Sequence, residues 1–202
     1  MSEQDGTVFL IDDDPAIRDS LSLLLALKGI RTQVFASAES FIDAFAADWC
    51  GCVLTDLRMS GMSGLELQTV LRKRKVDLPV VVLTAHGDVA TVRTALKNGA
   101  FDYLEKPIED EMLLDVLRNA LRVDRERRAS VVARSVADER LSRLTPRERE
   151  VLSLLGNGLQ NVDIAAKLGI SPRTVEVHKA RIMTKLDSRS LADLIRIVLG
   201  KD

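Results

Sequence analysis

The sequence predicts an α/β domain on a doubly wound, five-stranded parallel sheet, followed by a linker and an all-α domain of four helices. Three observations carry that prediction. Over about the first 120 residues, short runs of β-branched and aliphatic side chains alternate with helical stretches, as strands buried on both faces do. Four of these runs end in a chemically pointed residue: Val8-Phe9-Leu10-Ile11 in Asp12-Asp13-Asp14, Cys52-Val53-Leu54-Thr55 in Asp56, Val80-Val81-Val82-Leu83 in Thr84, and Tyr103-Leu104-Glu105 in Lys106-Pro107. Charge is also divided along the chain. Residues 1–122 carry 13 basic and 19 acidic side chains, and residues 123–202 carry 16 and 11, beneath a net charge of -1.

After the first strand, Asp14-Pro15 reads as a helix cap with proline at the first helical position. Ile17, Leu21, Leu24 and Leu25 then form an apolar stripe that stops at Gly29. Thr32 to Phe35 reads as a strand and Ser40 to Ala47 as a short helix. Past the strand that ends at Asp56 and the loop Met59-Ser60-Gly61-Met62, a helix is expected from about Gly64 to Lys75. Another is expected from Val89 to Asn98-Gly99, and the last strand leads into a helix starting near Glu109. Five βα units in about 120 residues fit a flavodoxin-like sheet.

Leu113, Val116, Leu117, Ala120 and Leu121 give that last helix an apolar face, which fades at Asp124-Arg125-Glu126-Arg127-Arg128. Residues 123–140 are therefore read as a charged, partly helical linker between a domain at 1–122 and one at 141–202. In the latter, Thr145-Pro146-Arg147-Glu148 forms a capping box, and a helix spans Asn161 to Leu168. Gly169-Ile170-Ser171 makes a turn, Ser171-Pro172 caps a helix running to about Leu186, and a fourth starts at Ser190. Two short helices joined by a glycine turn form a helix-turn-helix.

The opening residues Met1 to Gly6 are polar and lack the basic and apolar regions of a signal peptide. The apolar stretch Leu21 to Leu27 is far too short to span a bilayer. A cytoplasmic protein with no membrane contact is expected. Cys50 and Cys52 have no further cysteine or histidine nearby and read as small buried thiols.

All strands of a parallel sheet point the same way, so Asp12, Asp13, Asp56, Thr84 and Lys106 converge on the carboxyl edge, where open α/β sheets bind ligands. A carboxylate there can act as a nucleophile toward phosphorus and form an acyl phosphate. Neighbouring acids would repel the donor, so a hard cation is needed. Mg²⁺ suits carboxylate oxygens, with Asp13 and Asp56 as direct ligands and Asp12 direct or through water. Lys106 offers a mobile positive charge and Thr84 a hydroxyl.

Ile11-Asp12-Asp13-Asp14, Leu54-Thr55-Asp56-Leu57-Arg58-Met59, Leu83-Thr84-Ala85 and Glu105-Lys106-Pro107 resemble the receiver domain of two-component response regulators, over residues 7 to about 122. The resemblance implies phosphorylation of Asp56 from a histidine kinase, with Mg²⁺ on Asp12, Asp13, Asp56 and the Arg58 main-chain carbonyl. It places Tyr103 as an aromatic that switches with Thr84 and Lys106, and Arg58 and His86 as residues that tune the phosphoryl lifetime. It further implies a homodimer formed on phosphorylation through the surface around Ala90 to Tyr103. Such regulators usually have proline where this chain has Ser60, so a less rigid loop is expected.

On a helical wheel from Pro172, Val175, Ile182 and Leu186 fall inward, with His178 toward the buried side. Arg173, Val177, Ala180, Arg181 and Thr184 cluster opposite, with Glu176 at the edge. Arginines beside small apolar groups suit the major groove of double-stranded DNA. The expected contacts are Arg173, Thr174, Glu176, Val177, Lys179, Ala180, Arg181, Thr184 and Lys185. Leu144 to Leu152 and Ile170 to His178 resemble the four-helix effector domain of LuxR-type regulators. Together with Thr84-Ala85-His86-Gly87-Asp88, they make the chain most similar to response regulators of the FixJ type. A transcriptional regulator rather than an enzyme is implied, with a sensor kinase, DNA and RNA polymerase as partners. Two rivals are a phospho-dependent adaptor and a phosphatase using Asp56. Arg58 argues against the phosphatase, because haloacid-dehalogenase-like enzymes carry an acid at that position.

Overall fold

The strands β1 (Thr7–Ile11), β2 (Thr32–Phe35), β3 (Gly51–Asp56), β4 (Val80–Thr84) and β5 (Asp102–Glu105) form one sheet in the order β2-β1-β3-β4-β5, every pair parallel. This computed structural model describes residues 6–85, 97, 99–188, 190 and 193–194. The chain divides into two compact units, Met1–Arg127 and Arg128–Asp202.

Successive side chains of a strand point to opposite faces, and both faces here are covered. Val8 and Leu10 of β1 pack in one core with Leu25, Leu113 and Leu117. Phe9 and Ile11 pack in the other with Phe41, Leu67 and Leu71. Helix α1 (Pro15–Leu27) thus covers the first face with the helix that follows β5. Helices α2 (Ala38–Ala44) and α3 (Gly64–Lys73) cover the second. The apolar strand runs are long because neither face meets water.

Asp14 caps α1, accepting from the Ala16 N–H at 2.8 Å. Helix α2 starts earlier than expected, because Ser37 and Ser40 close a capping box between themselves, and it ends at Ala44. Helix α3 is capped by Ser63 and Glu66. Its first residue must be small: a Cβ on Gly64 would lie 2.4 Å from the Asp56 carbonyl oxygen. The expected helix from Val89 to Asn98 lies outside the described residues, apart from Lys97.

The helix after β5 runs on through the segment read as a charged, partly helical linker. Helix α4 is continuous over Asp110–Ser142. Where its apolar face ends, polar contacts within the first unit take over. Buried Asp124 accepts from the Gly51 N–H at 3.0 Å and from Arg127 at 2.9 Å, and Arg127 also pairs with Asp77 at 2.7 Å.

The second unit contains α5 (Pro146–Gly156), α6 (Asn161–Leu168) and α7 (Pro172–Lys185) around Leu144, Val151, Leu155, Ile164, Val175 and Ile182. Thr145 and Glu148 form the expected capping box. Gly169 ends α6 in the left-handed conformation, at φ 64°, and Ser171 caps α7 through the Thr174 N–H. Of the expected fourth helix, Ser190 accepts from the Asp193 N–H at 3.1 Å and Leu194 is fully buried. Its remainder lies outside the described residues.

Candidate functional site

The ladder sets the site. Ile11 stands opposite Thr55, Asp56 opposite Leu83, and Thr84 opposite Glu105, so the ends of β1, β3, β4 and β5 come level. The strand order turns between β1 and β3, and ligands of such sheets bind beyond the carboxyl ends at that point. A cavity of about 230 Å³ opens there, lined by Asp12, Asp13, Asp14, Ile17, Asp56, Arg58, Thr84, Ala85 and Lys106.

Lys106 organises the acids. Its ammonium donates to Asp56 Oδ1 at 2.6 Å and to Asp12 Oδ2 at 3.0 Å. Asp12 and Asp56 are buried, and Lys106, joined to Pro107 by a cis peptide, is half-buried. Burial opposes the lysine's charge, but the hydrogen bonds to Asp56 and Asp12 outweigh it and lift its pKa above the ordinary value. The other carboxylate oxygens are held by main-chain amides. The Asp14 N–H donates to Asp12 Oδ1 at 2.9 Å, and the Arg58 N–H to Asp56 Oδ2 at 2.7 Å. The Ser60 N–H donates to Asp13 Oδ2 at 2.7 Å and, as the leading cause, holds the Asp13 carboxyl below its usual range.

The loop after Asp56 makes two hydrogen bonds to other parts of the unit. It is tied at Ser60 to Asp13 and at Met62, whose N–H donates to Glu39 at 2.8 Å. Neither tie was legible beforehand, since both donors are main-chain groups. Thr84 is buried beside the acids, and its carbonyl accepts from the Lys106 N–H at 2.6 Å. Tyr103 is half-buried, and its hydroxyl is enclosed without a hydrogen-bond partner among the described residues. Arg58 is exposed at the rim. His86 and most of the Ala90 to Tyr103 surface lie outside the described residues.

Among the described residues, no three acid, histidine or cysteine side chains form a ready metal shell, and Lys106 instead bridges Asp12 and Asp56. The donors are nonetheless hard carboxylate oxygens in excess of the cations facing them, which matches the chemistry of Mg²⁺. Cys52 is buried as expected, with its thiol pushed up by burial and by the Asp124 charge, whereas Cys50 is only half-buried. No described helix is long and apolar enough to cross a membrane.

In the second unit, α7 buries Val175 and Ile182 and exposes Arg173, Glu176, Val177, Ala180, Arg181 and Thr184. Thr174, His178 and Lys179 are half-buried, and the Thr174 hydroxyl bonds Ser171 at 2.8 Å within the cap. Lys185 is the exception among the expected DNA contacts. Its ammonium donates to buried Glu148 at 2.7 Å, a partner 37 residues away, and is committed inside the unit. Chiefly through Lys185, and next through the Thr145 N–H, the Glu148 carboxyl is pushed down to about 2.

Comparison with known proteins bears on both units. Residues 8–118 match the response regulator receiver domain, and residues 142–198 the bacterial regulatory proteins of the luxR family. Transcriptional regulatory protein FixJ of Azorhizobium caulinodans is 45% identical, over 95% of this chain and 91% of its own. The chain belongs to the FixJ-type response regulators. It is a phosphorylation-dependent transcription regulator that joins a receiver to a LuxR-type DNA-binding domain. Among solved structures, response regulator StyR superposes with a TM-score of 0.81 at 41% identity, covering 96% of this chain and 98% of the other. Full-length FixJ from B. japonicum superposes with 0.61 at 40% identity, covering 98% and 97%. The receiver sheet and helical effector domain expected from the sequence are thus present in a family of the expected kind.

Proposed function

We propose that Asp56 is the phosphoryl acceptor of this regulator. The observation that carries the reading is the Lys106 ammonium bridging Asp56 and Asp12 inside a cavity that Thr84 also lines. An Asp56 carboxylate oxygen attacks the phosphorus of a phosphohistidine on the cognate sensor kinase. The P–N bond breaks, its electron pair stays on the imidazole, and an acyl phosphate forms on Asp56. Asp12, Asp13, Asp56 and the Arg58 carbonyl would hold Mg²⁺, which would supply charge neutralisation at the phosphoryl oxygens. Lys106 then moves from carboxylate to phosphoryl oxygen, and Thr84 donates its hydroxyl to another.

Thr84 leaves space that the Tyr103 ring and its hydroxyl, which has no hydrogen-bond partner among the described residues, take up, giving one surface two arrangements biased by a single charged group. Arg58 and His86 tune the phosphoryl lifetime. The switched surface, within residues 90–103, pairs two copies and raises their joint affinity for double-stranded DNA. Arg173, Thr174, Glu176, Val177, Lys179, Ala180, Arg181 and Thr184 make the DNA contacts, and RNA polymerase is the onward partner. Lys185 leaves that set because Glu148 holds it. The receiver extends past the expected boundary at 122 to Arg127, whose neighbour Asp124 is buried in it; residues 128–140 act as linker and 141–202 as effector, in the cytoplasm. The receiver accepts a phosphoryl group and does not turn over substrate as an enzyme.

The test is labelling with acetyl phosphate and Mg²⁺. Wild type takes up one phosphoryl group and Asp56→Ala none; equal labelling of the variant ends the reading. Failure of the full chain to shift duplex DNA after labelling would favour an adaptor that binds protein.

A further inference from the structure

Ser60 departs from the proline usual in such regulators, and it does something proline cannot. Proline has no main-chain N–H. Here that N–H reaches across the cavity mouth and donates to Asp13 Oδ2 at 2.7 Å, linking positions 47 residues apart in sequence. Asp13 follows β1 and Ser60 lies in the loop after β3, so the bond spans the point where the strand order turns. The loop cannot drift from Asp13 freely, because the Met62 N–H pins its other side to Glu39 at 2.8 Å.

We infer that Ser60 is a positioning residue for the metal, acting through the Asp13 carboxylate; the inference rests on the reading of Asp13 as an Mg²⁺ ligand. Two effects of the bond compete. Sharing Oδ2 with an amide draws charge from the carboxylate, which weakens it as a ligand. Holding Oδ2 also fixes the rotamer of a half-buried side chain. Outer hydrogen bonds to ligating groups contribute about 10- to 100-fold in metal affinity, so the orienting effect is the larger one. Asp12 and Asp56 each also keep one oxygen on a main-chain amide, so this chain orients all three acids in the same way.

The experiment is calorimetric titration of the full chain with Mg²⁺ alone, without phosphoryl donor. Ser60→Pro removes the N–H, and Ser60→Ala keeps it. Ser60→Pro is expected to bind Mg²⁺ about tenfold more weakly than wild type. Ser60→Ala should stay within about threefold, since the donor remains. Equal or tighter binding by Ser60→Pro overturns the inference, as does Ser60→Ala binding as weakly as Ser60→Pro. Asp13→Ala separates the two layers: if it loses Mg²⁺ affinity while Ser60→Pro does not, only the role of Ser60 fails. If Asp13→Ala binds as well as wild type, the metal assignment itself fails.

Discussion

Each unit contains a lysine pressed against a nearly buried carboxylate, at 2.6 Å from Asp56 in the receiver and 2.7 Å from Glu148 in the effector domain. The surroundings differ. Glu148 faces one lysine and the Thr145 N–H that closes its capping box, so charge and hydrogen bonds balance. Lys106 is shared by two acids, and the cavity around it holds four acids against two bases. A balanced pair is a structural tie. An unbalanced pair opening on a cavity leaves negative charge that a further cation can meet. One kind of contact thus serves architecture in one place and chemistry in the other.

The largest expected effect separates switching from holding. Thr84→Ala should still accept phosphate at Asp56, yet lose the phosphorylation-dependent change in sedimentation altogether. A labelled Thr84→Ala protein that assembles as wild type does would show that the switch runs through other residues.

Next in size is Lys106→Ala. It strands Asp12 and Asp56, whose side chains are 2% and 12% exposed, without their shared cation. Breaking a buried pair from one side costs about 3 kcal/mol. Trp49 is the single tryptophan and stacks on Phe9 at 4.7 Å in the receiver core, so its fluorescence reports that unit's unfolding in urea. The loss should shrink when Mg²⁺ is added, because a cation then replaces the ammonium. An unchanged midpoint without metal would mean that Lys106 is not what balances the acids.

Glu148→Ala should cost about 2 kcal/mol, from a lost cap and a lost buried hydrogen bond to a charged group. Its pH dependence has a definite sign. A carboxyl with an ordinary value of 4.5 that is held at about 2 when folded stabilises fully above 4.5 and loses that contribution as pH falls toward 2. Hydrogen exchange of the α5 amides should show protection falling over that window in wild type. The variant should show a flatter profile, and parallel profiles would place the pair outside the effector's stability.

Apolar strands were easy to read from sequence, because a sheet covered on both faces needs long runs such as Val80 to Leu83. The acids, Thr84 and Lys106 were legible for the same reason, since parallel strands end together. Polar, non-local contacts were not legible. Where the apolar stripe of helix α4 ends, buried Asp124 bonds Gly51, 73 residues away. Helix α2 starts at Ala38 because a serine, not the usual acid, completes its capping box. Lys185 looked like a free base on α7 because nothing in its own helix announces Glu148.

The smallest expected effects lie on α7, and they test whether Lys185 truly differs from its neighbours. Arg173 and Arg181 are exposed, so their charge is available to phosphates. Replacing either by alanine should cost about 1 kcal/mol in DNA affinity and lower the slope of log affinity against log salt by about one. Lys185→Ala should leave that slope unchanged, since its ammonium already belongs to Glu148, although the domain itself would lose stability. Gel-shift titrations of the phosphorylated full chain at several salt concentrations distinguish the cases, because the slope counts released counterions independently of how much protein is folded. A slope lowered as much by Lys185→Ala as by Arg173→Ala would mean that the Glu148 pair opens on DNA. The effector's lysine would then be as mobile as the receiver's.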